Sequence, residues 1–317
     1  MPGTITSAPK TRPATFRGYA WGVLAWNLFV VLWGAYVRAS GSGAGCGNHW
    51  PLCNGDVVPR APRLETIIEF THRMTSAVSL IATGGLAVWS VLRFPRDHPV
   101  RRYALLSVIF LFAEALLGAG LVLFEFVASN ASVGRAFYLS LHLVNTQFLL
   151  AALALTAWYS REVVPDAIPR AAAPRSPRVI AALPIAVVVS VTGAIAALGD
   201  TLFPVASLAE GMRQDISTSS SFLLRLRVLH PVLAILAAGY FAYTAMLVLR
   251  SKPRPLTTQI ALAVIVMALA QLGAGAINIT LLAPVWMQLF HLLLADLLWL
   301  SLVLLAVEAP AQSSSSA

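Results

Sequence analysis

Eight apolar stretches, near 19–39, 66–92, 103–126, 136–159, 179–199, 222–249, 257–281 and 286–307, alternate along the chain with short polar segments. Each is close to the roughly 20 residues a helix needs to cross a hydrocarbon core of about 30 Å. Backbone polar groups in lipid are satisfied only in helices or closed barrels, and runs this long and continuous exceed a barrel strand. The pattern predicts an all-α integral membrane protein with eight transmembrane helices. The first stretch follows Lys10, Arg12 and Arg17, as a secretion signal would. Its apolar part is longer than the roughly 7–15 residues of a signal, so it reads as a retained first span.

The stretches also repeat. Leu117-Gly118-Ala119-Gly120 in the third is matched by Leu272-Gly273-Ala274-Gly275 in the seventh, and Gly34-Ala35 in the first by Gly193-Ala194 in the fifth. Four spans per unit is an even number, so both halves share one orientation, as a parallel repeat about an axis along the membrane normal. The expectation is two pseudo-symmetric four-helix bundles, over 19–160 and 179–308. A cytoplasmic tail over 1–18, a proline-rich cytoplasmic linker over 161–178 and a disordered tail over 309–317 that includes Ser313 to Ser316 complete the layout.

Composition agrees with a membrane protein: 58% of residues are hydrophobic and 11% charged, against about 25% charged in soluble domains. The net charge of +9 is informative through its distribution. Basic residues gather at Lys10, Arg12 and Arg17, at Arg93, Arg96, Arg101 and Arg102, at Arg161, Arg170, Arg175 and Arg178, and at Arg250, Lys252 and Arg254. The positive-inside rule makes these segments cytoplasmic. Both termini then lie inside, and the segments near 40–65, 127–135, 200–221 and 282–285 face out. The basic excess reports topology in the bilayer and implies no nucleic-acid partner, since no soluble basic face with aromatics is present.

His72, His142, His230 and His291 change the picture from architecture to chemistry. They sit in the even-numbered stretches, His72 and His230 158 positions apart and His142 and His291 149 apart. An imidazole in hydrocarbon is costly unless paired or bound, and neutral imidazole is a common metal ligand. A lone histidine would read as packing; four in register predict two metal or haem sites. All four fall near the outer starts of inward-running spans, in one layer on facing helices, where bundles build cofactor sites. The spans hold no carboxylate cluster and no cysteine. Paired imidazoles therefore suit axial haem ligation better than zinc, which wants four ligands.

Glu69 and His72 are three residues apart, hence on one helix face. Glu69 either meets a group held by His72 or forms an interfacial pair with Arg73. Arg73 could pair with a carboxylate, a haem propionate or a lipid phosphate. Arg38, Arg60, Arg63, Arg225 and Arg227 lie near outer helix ends, as propionate or headgroup contacts. Cys46 and Cys53 share the first outer segment, where disulfides are permitted; a structural bond, a redox dithiol and free thiols all remain open. His49 and His98 read as surface residues. Asn145, Asn278 and Gln271 read as interhelical hydrogen bonders, and Glu114 is assigned no role.

Arg38-Ala39-Ser40-Gly41-Ser42-Gly43 running into Cys46, followed by Trp50-Pro51-Leu52-Cys53-Asn54-Gly55, resembles the first outer loop of the haem A synthase family. Glu69-x-x-His72-Arg73, His142-Leu143-Val144-Asn145-Thr146 and His291-Leu292-Leu293-Leu294-Ala295-Asp296 extend the match, in order, from the first span to the last. The resemblance implies a bacterial inner-membrane enzyme that oxidises the C8 methyl of haem O to the formyl of haem A, for cytochrome oxidase. It implies His72 and His142 as ligands of the substrate haem, His230 and His291 as ligands of a resident haem b, and Glu69 as the catalytic carboxylate. It further implies a Cys46–Cys53 disulfide. Arg227 stands where the second half would carry a counterpart of Glu69, which fits a cofactor site better than a reaction site.

The expected chemistry is two successive oxidations of the methyl group, with haem b relaying electrons to or from the substrate haem and an unidentified electron partner beyond it. A haem O synthase is an expected partner on pathway logic. Two axial histidines leave no open position on the substrate iron, so either one ligand departs or oxygen does not bind there. The alternative function is a dihaem cytochrome b that only transfers electrons, using the same histidines without Glu69. A repeat-built transporter is disfavoured by the lack of paired broken helices with central ionisable groups.

Overall fold

The computed structural model describes residues 13–161, 176–217 and 221–309. Among these, ten α-helices follow in order: α1 Pro13–Ala39, α2 Leu64–Arg93, α3 Pro99–Leu123, α4 Val133–Tyr159, α5 Pro177–Leu202, α6 Leu208–Ile216, α7 Phe222–Arg227, α8 Leu229–Arg250, α9 Pro255–Thr280 and α10 Val285–Glu308. Eight segments are long and apolar enough to cross a membrane, with α7 and α8 together forming the sixth, Phe222–Arg250. The protein is an all-helical, multi-pass membrane protein whose spans fall where the apolar pattern places them. The serine tail, most of the linker (162–175) and residues 1–12 lie outside the described residues.

The helix ends depart from expectation for identifiable reasons. α1 is already helical at Pro13, so the helix starts ahead of the first apolar stretch. α3 starts at Pro99, where the missing N–H costs nothing in a first turn. His98 precedes it as a buried cap: its Nδ1 accepts from Val100 N at 3.2 Å, and its ring lies 4.6 Å from that of Phe94. The surface reading of His98 is therefore corrected; its imidazole terminates a helix and is 4% exposed. α6 occupies a segment expected to be loop. Ser207 Oγ accepts from Glu210 N at 3.2 Å, and Glu210 Oε2 accepts from Ala206 N at 3.0 Å, a close relative of the capping box. The sixth span is interrupted at Val228 because Pro231 cannot donate to the preceding turn.

α1, α2, α3 and α4 pack in sequence as a closed ring, and α5, α8, α9 and α10 do the same. The rings meet where α4 touches α5 and α10, and where α1 touches α10. Lipid supplies no hydrophobic drive between spans, so close packing of small faces must hold them. Ala154 and Ala157 of α4, Ala182 and Ala186 of α5, and Ala261 and Ala268 of α9 are buried in a core that also takes Leu149, Leu150, Leu153, Leu302 and Leu305. Polar straps fix the register. Trp299 Nε1 donates to Gln147 O at 2.8 Å, and Gln147 Nε2 to Ser190 Oγ at 2.7 Å. At the far end of α4, Glu308 Oε1 accepts from Trp158 Nε1 at 2.8 Å and from Arg161 Nη2 at 3.0 Å.

Candidate functional site

α2, α4, α8 and α10 carry His72, His142, His230 and His291 near their starts, so all four imidazoles lie toward the end of the bundle that bears the Cys46–Cys53 segment. Each rests against a glycine of the preceding span. A Cβ built on Gly34 of α1 would stand 2.9 Å from His72 Cε1, and one on Gly193 of α5 would stand 2.8 Å from His230 Cε1. In α3 and α9 the same device uses Gly118, 3.9 Å from His142 Cε1, and Gly275, 3.2 Å from His291 Cε1. The matched Leu-Gly-Ala-Gly motifs thus serve their histidines with different glycines, the first in α3 and the last in α9.

His230 and His291 face each other across the second ring, centroids 6.4 Å apart and planes at 84°. Thr192 Oγ1 lies 3.1 Å from His230 Nδ1, which orients that ring. Gln271 Nε2 lies 3.3 Å from His291 Nε2. The Nδ1 atoms of His72, His142 and His291 are buried without a hydrogen-bond partner. Among the described residues no group of three or more histidine, cysteine or acidic side chains converges. The two imidazoles of each ring could therefore hold a haem, which brings its own iron, and would not by themselves make a metal cage.

Glu69 is buried, and both of its oxygens are taken. Oε2 accepts from Cys46 N at 2.8 Å and Oε1 from Arg73 Nη2 at 2.5 Å. Arg73 Nη1 donates to the carbonyls of His49 at 2.8 Å and Leu52 at 2.6 Å. Cys46 and Cys53 form a disulfide, so this pair of α2 side chains grips the bridged segment on both sides of its bond. Gly45 completes the contact: Thr66 Oγ1 donates to its carbonyl at 2.7 Å, and a Cβ there would sit 2.6 Å from Thr66 N. His49 is exposed at the surface.

The arginines expected near propionates are engaged in the protein. Arg38 crosses from α1 to the second ring, donating to Ala197 O at 2.9 Å, Thr201 Oγ1 at 3.0 Å and Gln288 Oε1 at 3.2 Å. Arg227 of α7 pairs with Asp200 of α5 at 2.9 Å and with Asp215 of α6 at 2.5 Å. Arg60, Arg63 and Arg225 are exposed. Asn145 forms the interhelical bond expected of it, Nδ2 to Phe110 O at 2.8 Å.

Glu114 of α3 is the residue the sequence left without a role. Its Oε2 accepts from Asn145 Nδ2 at 2.5 Å, its Oε1 accepts from Thr146 Oγ1, and Oε1 stands 3.4 Å from His142 Nδ1. The available signal was its place one turn before Gly118, on the helix that serves as the seat of His142.

Fold and site together define an eight-span helical membrane protein with two rings, each presenting a pair of partly buried imidazoles. The sequence profile of the COX15-CtaA family, cytochrome oxidase assembly proteins, matches residues 17–303, and the chain belongs to this family. It is similar to a Thermus thermophilus protein named protoheme IX farnesyltransferase, 48% identical over 292 residues, which are 92% of this chain and 48% of that protein. It is also similar to a heme A synthase of Exiguobacterium sp., 31% identical over 151 residues, 48% of each chain. A heme A synthase of Bacillus licheniformis is 45% identical over 97 residues, 31% of this chain and 32% of its own. The chain thus spans about half the length, or less, of the curated relatives it matches.

Proposed function

We propose that the protein is a haem A synthase, which converts the C8 methyl of haem O to a formyl group, and that the first ring holds the substrate while the second holds haem b. The observation that carries this reading is the two imidazoles in each ring of a family member, His230 and His291 in ring contact and the Nδ1 atoms of His72, His142 and His291 buried without a partner. His72 and His142 bind and orient the substrate iron; His230 and His291 hold haem b. Bound there, haem b would supply one-electron transfer to or from the substrate haem. Glu69 lies on the His72 face of α2, fixed by Arg73 and Cys46 N, where a preorganised negative charge stabilises positive charge developing on the porphyrin carbon.

The charge pattern supports a reading in which the imidazole end of the bundle and the disulfide face the extracytoplasmic side, with both termini inside; the family assignment suggests a bacterial inner membrane. The Thermus relative supports a haem O synthase as partner. That protein is named for farnesyl transfer to protohaem, and this chain matches about half of it. Expression in a host that makes haem O but no haem A, followed by chromatography of extracted haems, tests the assignment. Haem A or its hydroxylated precursor is expected. Two stable equivalents of haem b and no new haem would instead identify an electron-transferring cytochrome.

A further inference from the structure

In the first ring a carboxylate faces a candidate iron ligand directly. Glu114 Oε1 stands 3.4 Å from His142 Nδ1, and that nitrogen has no hydrogen-bond partner elsewhere. The carboxylate cannot drift: Asn145 and Thr146, the third and fourth residues after His142 on α4, both donate to it, and Asn145 is itself tied to Phe110 O of α3. Among the described residues no lysine or arginine forms an ion pair with Glu114. The other three imidazoles lack such a neighbour. His230 Nδ1 meets the Thr192 hydroxyl, Gln271 meets His291 at Nε2, and the Nδ1 atoms of His291 and His72 have no partner.

We propose that Glu114 is a positioning residue for haem: it accepts the Nδ1–H of His142, fixes the tautomer that offers Nε2 to iron, and makes His142 the strongest of the four ligands. The inference rests on the assignment of the first ring to haem and adds an order to its two ligands. A ligating histidine that donates its second ring N–H to a carboxylate is held in orientation and made a better donor, and losing the partner costs about 10- to 100-fold in metal affinity. A charge-assisted hydrogen bond is also roughly twice as strong as a neutral one. A small turn of the imidazole brings Nδ1–H onto Oε1. His72, without a partner, is then the ligand that lets go when the substrate iron needs an open position. That answers the coordination problem posed by two axial histidines.

The test uses the purified full-length chain in detergent, titrated with ferric haem O, the second-ring haem serving as internal marker of a folded protein. Glu114→Gln preserves side-chain size and removes the charge. It is expected to weaken first-ring haem by about 10- to 100-fold and to shift its low-spin EPR signal while leaving the second-ring signal in place. Glu114→Asp recovers part of the affinity. His142→Ala is expected to empty the first ring, whereas His72→Ala retains haem in a high-spin form. Parent-like affinity and signal in Glu114→Gln, with His142→Ala empty, would overturn the inference and leave the site assignment standing. Should Glu114→Gln lose both haems, the decision passes to the histidine variants, and equal losses in His72→Ala and His142→Ala overturn it. Unaltered first-ring haem in both histidine variants would remove the site assignment itself.

Discussion

Gly193→Ala is the sharpest probe of how the imidazoles are seated. The added Cβ would lie 2.8 Å from His230 Cε1 and 3.3 Å from both ring nitrogens. Carbon–carbon contacts are comfortable at about 3.5 Å, so the imidazole must retreat by roughly 0.7 Å from the 2.8 Å contact. Both partners sit on helices, and the hydrogen bond from Thr192 restrains the ring on the same side. Overpacking of this kind costs about 1–3 kcal/mol, which is roughly a 5- to 150-fold loss in affinity for a group held by that ring. The assay is titration of haem-depleted protein with haem b, read in the Soret band. Gly239→Ala, in α8 with open space around it, is the control for the general effect of alanine in a helix. Parent-like binding in Gly193→Ala, or an equal loss in Gly239→Ala, would refute the seating argument.

Other perturbations separate anchoring from chemistry. Glu69→Gln keeps an oxygen for Cys46 N but removes the charge, and is expected to slow haem A formation by roughly 100-fold or more while the bridged segment stays ordered; parent-like turnover would end the catalytic role. Arg227→Ala leaves Asp200 and Asp215 unpaired and should lower unfolding free energy by about 1–3 kcal/mol, less than the roughly 3–5 of a fully buried pair, measured by thermal unfolding in detergent. Arg38→Ala removes three hydrogen bonds between the rings and should cost about 2–4 kcal/mol in the same assay, with Arg38→Lys intermediate. Cys46 and Cys53 should resist alkylation until reduced, and a membrane-impermeant maleimide should then label them in intact cells or spheroplasts if the segment faces outward.

The spans were legible because lipid enforces a simple rule, and a continuous apolar run of sufficient length has no other stable reading. The matched histidines were legible for the same reason: a polar ring in such a run stands out. Local chemistry at the span ends was harder to read. Ser207 and Glu210 carried a capping signal inside a stretch read as loop, and Pro99 announced a helix start that the charged run Arg101-Arg102 masked. His98 looked exposed because its neighbours are polar, yet its ring packs on Phe94. Partner identity was least legible. Nothing in the spacing of Arg38 predicts that it reaches α5 and α10, and only tertiary packing turns Glu114 toward His142 rather than toward lipid.

Glu69 and Arg227 occupy matched positions, three before His72 and His230, and their opposite charges suggest that the halves differ there. Both side chains do one mechanical job in the structure: each pins the polar segment leading into its helix. Glu69 holds the bridged segment through Cys46 N and is paired with Arg73. Arg227 holds α6 through Asp215 and α5 through Asp200. Each charge is held in place by partners within its own half. Among the described residues Glu114 forms an ion pair with no lysine or arginine, and its counterparts in the second ring are an amide and a hydroxyl. Were haem held in both rings, a carboxylate would stand beside a ligand of the first and only uncharged groups beside those of the second, so the two sites would differ electrostatically even with like ligands.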